Sequence, residues 1–420
     1  MGALNTLILF TTSYPYEGAA EQIFIDKEIG PLVSNFDRVI LVPEYLHGPR
    51  HYIPLEVEVD EGYSAFYRGH IQKLTFPYVL LSRLLWEDIV SRPTQVLPLR
   101  SLLRLCLFVW RAHLCRIWVK KFIEDKRVDP AKAVFYTYWL NHVSLGTGLA
   151  KKCHPQIKLV SRAHGYDLYE ERYHPPYLPC RRAVIGFLDR LFLISRHGMD
   201  YLRKRYPGME SVCVVSRLGV NDPGFRTLPS SDGKFRIVSC SFMVPVKRLE
   251  RMVTGMNRLG RLNPRQSFEW YHIGGGPLKN SLEEMACKTL PANVKYSFIG
   301  TLSNEEVLLF YRRSPIDLYV NVSESEGIPL AIMEALSCGM PVMATAVGGV
   351  QEVVSDRNGK LLSPNPSDDE IARSVLSFLD HPDLALEKRQ QSRRVWKEVC
   401  DGSRNFQDFA DQLRSLVRST

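Results

Sequence analysis

The sequence lacks the patterns that mark several common classes of protein. Its nine cysteines form no Cys-x-x-Cys pair, and no His/Cys cluster has the spacing of zinc ligands. No uncharged apolar run reaches the ~18 residues that a membrane-spanning helix needs. The first ten residues have no basic region of the kind that opens a signal peptide. We therefore expect reduced, mostly buried thiols in a cytoplasmic protein.

The composition supports two folded domains. The chain has 420 residues, of which 45% are hydrophobic and 24% charged, as in ordinary globular proteins. Short apolar stretches alternate with helical ones in both halves, which predicts an α/β fold with parallel sheets. The predicted strands are 4–12, 38–43, 134–137, 157–161, 190–195, 235–240, 267–273, 295–299, 318–322 and 342–345.

A polar Pro/Gly/Ser cluster at 227–234 separates the two halves of the pattern. We expect one domain over 1–228 and a second over 234–394. Ligands of such sheets bind beyond the carboxyl ends of the strands, so the expected site is a cleft between the domains.

The net charge of +9 is concentrated in one segment. Residues 68–127 contain twelve lysines and arginines, among them Lys73 and Arg127, but only four acidic residues. Large apolar residues are interspersed with them. One interpretation of segment 70–127 is that its helices lie on an anionic membrane surface. The alternative is a pair of core helices with basic outer faces. Binding of nucleic acid is a weaker third interpretation, because no recognised binding motif accompanies the charge.

Two carboxylates, Glu326 and Glu334, stand eight residues apart around a Gly-Ile-Pro-Leu segment. This spacing is a little over two helical turns, so a helix would place both carboxylates on roughly one side. Free N–H groups where the helix begins, together with its dipole, would bind phosphate. Carboxylates beside a phosphate accept hydrogen bonds from sugar hydroxyls. These residues alone suggest a site for a phosphorylated sugar or a nucleotide.

Further motifs of the second half follow in a fixed order. They are Lys247-Arg248, Gly274-Gly275-Gly276, Gly300, the segment from Glu326 to Pro341, and the Gly348-Gly349 turn. The series resembles the retaining nucleotide-sugar glycosyltransferases of family 4, of the bacterial glycan-assembly type. The resemblance covers 235–365 and implies the B-type fold, with two Rossmann-like domains facing across a cleft. It also implies that a helix within 395–420 crosses back onto the first domain.

The resemblance assigns roles to these residues. Lys247 would neutralise the leaving diphosphate, Glu326 would face the donor sugar, and Glu334 would accept hydrogen bonds from the ribose. For Glu334 the alternative is a solvent-exposed helix carboxylate, which its apolar neighbours disfavour. For Lys247 the alternative is a surface lysine. The other donor-binding positions implied are Gly18, Gly276, Gly300, Gly327, Ile328, Pro329, Leu330 and Arg248.

A shorter match lies in the first half, where residues 162–168 are similar to the family's His-Gly-x-Asp segment. It implies that His164 bonds the donor sugar near the reacting carbon and that Asp167 fixes the loop. The alternative for His164 is a core histidine bonded to backbone. The first loop keeps only Gly18 of two expected glycines. Glu21 fits the acid that follows them, or is an N-terminal helix acid.

One position departs from the family pattern. The family carries an arginine ahead of the lysine, and Phe242 stands there in this chain. Arg248 or Arg217 could supply the missing charge.

The resemblance implies retaining transfer from a nucleoside diphosphate sugar to a glycan or lipid-linked glycan, with the leaving phosphate as base. No Asp-x-Asp motif is present, in keeping with a reaction that uses neither metal nor cofactor. The reaction would serve the synthesis of cell-surface polysaccharide or glycoconjugate. The resemblance also favours peripheral binding to the inner face of the cell membrane through 70–127, and no nucleic acid partner. The alternatives are a non-catalytic binder of nucleotide sugars or membranes and, on the same fold, a nucleotide-sugar epimerase.

Overall fold

The computed structural model describes residues 4–19, 21–69, 74–126 and 128–418, and it divides into two compact units. Unit 1 comprises Met1–Ser216 and Arg404–Thr420, and unit 2 comprises Arg217–Ser403. Each unit is built on one parallel β-sheet.

The strands of unit 1 are β1 (Thr6–Thr11), β2 (Arg38–Pro43), β3 (Val57–Val59), β4 (Ala133–Thr137), β5 (Lys158–Ala163), β6 (Arg190–Leu193) and β7 (Cys213–Val215). They pair in the order β3-β2-β1-β4-β5-β6-β7, all parallel. Successive side chains of a strand point to opposite faces. Ile8 and Phe10 therefore enter one apolar cluster, while Leu7 and Leu9 enter the other. Both faces of the sheet are covered, as the sequence predicted.

The helices of unit 1 that precede unit 2 are α1 (Gln22–Asn35), α2 (Gly62–Arg68), α3 (Arg83–Ser91), α4 (Pro93–Val96), α5 (Leu99–Asp125), α6 (His142–Lys151), α7 (Arg181–Phe187) and α8 (Arg196–Arg205). Helix α5 is the longest of them, and it packs in the core formed with α6.

The burial of α5 distinguishes between the two interpretations of segment 70–127, as membrane-surface helices or as core helices, for the residues of α5. Its inner residues, including Leu105, Val109, Trp118 and Phe122, are buried. The interpretation as a core helix is therefore confirmed for α5. Exposed apolar side chains lie before α5 and on the solvent-facing side of its first part. They are Leu74, Tyr78, Leu80, Leu81, Trp86, Val90, Leu97, Leu99, Leu103 and Leu107. Lys73 and Arg127 lie outside the described residues, and contact of this segment with a membrane stays a prediction.

Unit 2 contains β8 (Lys234–Cys240), β9 (Ser267–Ile273), β10 (Val294–Gly300), β11 (Leu318–Asn321), β12 (Val342–Thr345) and β13 (Gly359–Leu362). They pair in the order β10-β9-β8-β11-β12-β13. Its helices are α9 (Leu249–Leu262), α10 (Lys279–Thr289), α11 (Asn304–Arg313), α12 (Leu330–Ser337), α13 (Asp368–Asp380) and α14 (Pro382–Val395).

The last helix, α15 (Gly402–Arg418), returns to unit 1. Its Phe409, Ala410 and Leu413 side chains are buried in the unit 1 core. The predicted return of a C-terminal helix to the first domain is confirmed.

Three short strands were not predicted. β3 and β7 form the two edges of the first sheet, and β13 forms one edge of the second. β3 and β7 have three residues each, with exposed or half-buried positions that lack the apolar run of an inner strand. Within the described ranges, no helix combines the length and apolar character needed to cross a bilayer.

Candidate functional site

The Gly-rich turns of unit 2 meet at the carboxyl edge of its sheet. Backbone hydrogen bonds join the turns after β8, β9 and β10: the Met243 N–H donates to Gly275 (2.7 Å), and the Gly274 N–H to Gly300 (2.8 Å). The Gly276 residue has φ +149°, and a Cβ there would lie 2.6 Å from the Met243 carbonyl oxygen. Only glycine fits this close approach.

The turns after β11 and β12 join the same edge. The Glu324 N–H donates to Val246 (2.8 Å), which brings the segment before Glu326 against the turn after β8. A Cβ at Gly348 would lie 1.8 Å from the Glu326 carbonyl oxygen, so a glycine is required where the Gly-Gly turn crosses this segment. The motifs that the sequence places in order are thus neighbours in unit 2.

The Lys247 side chain is paired with Glu326. Its Nζ donates to Oε1 of Glu326 at 2.5 Å, and the two side chains are 21% and 9% exposed. The buried Asn321, at the end of β11, holds the same carboxylate oxygen more weakly, at 3.4 Å from its Nδ2. The interpretation of Lys247 as an ordinary surface lysine is wrong, because its ammonium lies beside a buried carboxylate. Asn321 was not singled out from the sequence.

Helix α12 begins at Leu330, four residues after Glu326. The N–H groups of Gly327, Ile328 and Leu330 donate to no acceptor within the described part of the chain. Pro329 precedes the helix in an extended conformation and contributes no N–H group. The entry to α12 therefore offers N–H donors and the positive end of the helix dipole, next to Lys247.

Glu334 lies one turn into α12 and is only 6% exposed. The interpretation as a solvent-exposed helix carboxylate is therefore wrong. Its Oε1 accepts a 2.5 Å hydrogen bond from Nδ2 of Asn304, the first residue of α11. Asn304 was not predicted to be a site residue. The Ser303-x-x-Glu306 capping box predicts that a helix begins there, but it does not reveal a contact with α12.

Both candidates for the missing positive charge already have partners. Arg248 has a left-handed backbone (φ +48°) and donates to the backbone carbonyls of Val322, Ser323 and Pro364. Burial lowers the pKa of its guanidinium. Arg217 pairs with Glu352 at 2.7 Å. Phe242, which stands in place of the arginine, is 68% exposed. In this structure Arg248 and Arg217 therefore brace unit 2.

His164 lies at the carboxyl end of β5 in unit 1 and is 6% exposed. Its ring stacks on Tyr138 (4.8 Å between centroids) and packs against Trp139 (4.4 Å). The Nδ1 atom lies 3.6 Å from Oδ2 of Asp167, while Nε2 is buried without a hydrogen-bond partner in the described residues. A core histidine bonded to backbone through its ring is therefore the wrong interpretation.

Asp167 organises the loop that carries His164. Its Oδ1 accepts from the His164 N–H (2.6 Å) and its Oδ2 from the Leu140 N–H (3.0 Å). Burial by itself would raise the pKa of Asp167, but His164 and the two N–H groups outweigh burial and lower it. The carboxylate is ionised at neutral pH and fixes the loop, as the resemblance implied.

The loop after β1 is organised by Glu21, which is fully buried. One of its carboxylate oxygens accepts from the N–H groups of Thr12 (2.7 Å), Ser13 (2.8 Å) and Tyr14 (3.2 Å). Gly18 has φ +76° with open space around its Cα. Ala20 lies outside the described residues. In the part of the chain that the structure describes, His, Cys, Asp and Glu side chains form no group of three or more that could hold a metal ion.

Comparison with known proteins places these features in a family context. Residues 223–395, most of unit 2, match the family model described as Glycosyl transferases group 1. Sulfoquinovosyl transferase SQD2 of Arabidopsis thaliana is 35% identical over 54% of this chain and 43% of its own length. Putative colanic acid biosynthesis glycosyltransferase WcaL of Escherichia coli (strain K12) is 25% identical over 62% of this chain and 64% of its own. The chain thus spans less than two thirds of the length of these relatives.

Solved structures resemble the chain over nearly its whole length. Anabaena Alr3699/HepE in complex with UDP aligns with a TM-score of 0.68 and 16% identity, over 98% of this chain and 100% of that one. Sucrose-phosphate synthase from Thermosynechococcus elongatus aligns with the same TM-score and identity, over 99% and 100%. The fold is that of the B-type glycosyltransferases, with two Rossmann-like domains. The family match is confined to residues 223–395, and the solved neighbours show the fold alone.

Proposed function

We propose that the protein is a retaining glycosyltransferase of family 4 that moves a sugar from a nucleoside diphosphate donor to a glycan or lipid-linked glycan, without a metal. The observation that carries the proposal is the pairing of Lys247 with Glu326 at the entry to α12, where unpaired N–H groups begin a helix that also holds the buried Glu334.

The donor would occupy this edge of unit 2. The N–H groups of Gly327, Ile328 and Leu330 would hold the diphosphate, and Glu334 would accept from the ribose hydroxyls while Asn304 fixes its orientation. A nucleoside diphosphate is favoured because a neighbour of the same fold is described in complex with UDP.

Lys247 would act on the leaving group. As the bond to the anomeric carbon breaks, negative charge accumulates on the diphosphate, and a nearby ammonium stabilises it. In the absence of donor the ammonium is held by Glu326. On binding, Lys247 would turn to the phosphate and leave Glu326 to accept from a sugar hydroxyl. The proton of the acceptor hydroxyl would pass to the departing phosphate oxygen, so no protein nucleophile is needed.

His164 would bond the sugar of the donor. The buried Nε2 has no hydrogen-bond partner in the described residues, which is costly unless a ligand satisfies it. Asp167 and the rings of Tyr138 and Trp139 would keep the imidazole in place.

The acceptor would belong to cell-surface polysaccharide or glycoconjugate synthesis, as the name of WcaL suggests for that relative. The exposed apolar residues of 74–107 favour peripheral binding at the cytoplasmic face of a membrane. Sedimentation with anionic vesicles tests this binding, and its absence at low salt would contradict it.

The transferase is tested by incubating the protein with a panel of nucleotide sugars and measuring nucleoside diphosphate release, with and without acceptor. Release that Lys247→Ala abolishes supports the proposal. Tight donor binding without release would favour the second candidate, a non-catalytic nucleotide-sugar binder, which the exposed Phe242 at a cation position supports.

A further inference from the structure

A large cavity lies within unit 1. It has a volume of about 820 Å³. Its walls come from α3, from the start of α7 and from the end of α8. The lining residues are Arg83, Leu84, Trp86, Glu87, Asp88, Val90, Ser91, Arg92, Cys180, Arg181, Arg182, Ala183, Arg205 and Tyr206. We call it the arginine cavity.

Positive charge predominates on these walls, since five arginines face two carboxylates. Both carboxylates are engaged. Glu87 pairs with Arg83 at 2.6 Å. Asp88 accepts from the Tyr177 hydroxyl and from the N–H of Cys180 (2.8 Å). Asp88 keeps its negative charge, because both of its donors are neutral, but it forms no ion pair with an arginine of α7 in the described residues.

A buried carboxylate beside the cavity fixes two of the arginines. Glu170, 1% exposed, accepts two hydrogen bonds from Arg92 (2.8 and 2.6 Å) and two from Arg205 (3.1 and 2.6 Å). A single negative charge thus serves two guanidinium groups, which leaves a surplus of positive charge held in a fixed geometry. Fixed guanidinium groups lose little entropy when they bind an anion.

The α7 arginines have no counter-ion in the described residues. Arg181 is only 5% exposed and donates to the backbone carbonyl of Leu140, while its Nε has no hydrogen-bond partner in the described part of the chain. Arg182 is exposed, stands over the Tyr206 ring at 6.0 Å, and pairs with no carboxylate of those residues. A buried arginine without a counter-ion is costly, and an anionic ligand would remove that cost.

Helix α3 also contributes apolar side chains that are open to solvent, beside its own Arg83, Glu87 and Asp88. Val90 is 78% exposed and Trp86 is 52% exposed, both on α3. Leu80 and Leu81 immediately precede this helix and are also exposed, and the Trp86 indole N–H donates to the Leu80 carbonyl (2.7 Å). Exposed apolar side chains in a cavity that is also lined by arginines suit a ligand with both a phosphate and a hydrocarbon chain.

We infer that the arginine cavity binds the phosphate or diphosphate group of a lipid-linked ligand, with α7 and α8 holding the phosphate and α3 holding the first part of the chain. The assignment of this ligand as the acceptor rests on the proposed function. The binding itself does not, because every lining residue belongs to unit 1 and none is placed in the donor site.

The test uses the full chain and three soluble probes: farnesyl diphosphate, inorganic diphosphate and farnesol, with binding measured by calorimetry. Farnesyl diphosphate should bind at least about tenfold more tightly than either of the others. Arg182→Ala and Val90→Asp should each weaken binding of farnesyl diphosphate by about tenfold, because the first removes a cation and the second adds a negative charge to an apolar position. Both residues are exposed, so their replacement leaves the core intact. Arg190→Ala, an exposed arginine outside the cavity, is the matched control and should bind normally.

Each other outcome overturns a stated part. Equal binding of inorganic diphosphate would make the site one for a free phosphate, and equal binding of farnesol would remove the role of the arginines. Absence of farnesyl diphosphate binding, or binding unaffected by both cavity variants, would overturn the site itself. The quenching of tryptophan fluorescence on binding, lost in Trp86→Phe, gives a second readout. Donor hydrolysis by the unmodified protein is measured in parallel, so failure of the cavity proposal is distinguished from failure of the transferase proposal.

Discussion

The ammonium of Lys247 donates a 2.5 Å hydrogen bond to the carboxylate of Glu326, across 79 positions of the chain. The pair brings together the turn after β8 and the entry to α12, which the sequence indicates only as separate motifs. A donor diphosphate would compete with Glu326 for the same ammonium. The pair therefore keeps the Lys247 ammonium beside the N–H groups that would bind the diphosphate, on which negative charge would accumulate.

Lys247→Ala should lower the turnover number for nucleoside diphosphate release by about a hundredfold, because the leaving phosphate loses its cation. The measurement is steady-state release with the preferred donor of the panel. Lys279→Ala, which removes a half-exposed lysine at the start of α10, is the control and should leave turnover unchanged. Turnover equal in both variants would contradict the assigned role.

Asn304→Ala should raise the donor KM by about tenfold while changing the turnover number little. The Asn304 amide orients Glu334 through a 2.5 Å hydrogen bond, so its loss weakens a contact to the ribose that is the same in ground state and transition state. Glu334→Gln should raise the KM in the same direction. Glu305→Gln, an exposed neighbour on α11, is the control. A turnover defect with normal KM in Asn304→Ala would show that the contact with Glu334 has another purpose.

The sequence predicts the inner strands well, because buried parallel strands are continuous apolar runs with glycines after them. It also predicts that Glu326 precedes a helix and that Glu334 lies within it, since that relation is local. It does not predict Asn304 or Asn321, because each acts through a contact between separate elements and carries no local pattern. For the same reason the sequence leaves open whether the basic helix α5 lies in the core or on a membrane surface. Only the packing shows that the face carrying Leu105 is buried.

Phe242→Arg should lower the donor KM by about threefold to tenfold. Phe242 is 68% exposed beside the turn that carries Lys247, and Arg248 and Arg217 are bound to other groups. A new guanidinium would therefore add a cation for the diphosphate at little cost in stability. Phe242→Gln controls for loss of the ring. If Phe242→Arg and Phe242→Gln have the same KM, the position does not approach the diphosphate.

The Glu170 carboxylate should stabilise the protein at neutral pH, and this stabilisation should be lost in acid. Burial by itself would raise the pKa of Glu170, but Arg92, Tyr206 and Arg205 lower it from 4.5 to about 2. A lowered carboxyl pKa adds stability above the unfolded pKa, and that stability is lost as pH falls from about 4.5 to about 2. Glu170→Gln should lower the free energy of unfolding at neutral pH by about 3 kcal/mol and flatten that acid-side decline.

Urea unfolding at several pH values measures the change in Glu170→Gln, and Glu171→Gln, an exposed neighbour, is its control. An equal decline between about pH 4.5 and 2 in the wild-type protein and in Glu170→Gln would mean that other groups cause it.

Phe409→Ala should lower the stability of unit 1 by about 3–4 kcal/mol. The Phe409 ring is fully buried, meets the rings of Tyr136 (5.3 Å) and Phe192 (4.8 Å), and lies 3.9 Å from the guanidinium carbon of Arg162. Its removal leaves a cavity and removes the cation–π contact of the buried Arg162. The loss should appear in the transition of unit 1 in urea, and Phe409→Leu should recover most of it, because leucine refills much of the space. An unchanged transition in Phe409→Ala would mean that α15 is not part of the cooperative unit that the first sheet forms.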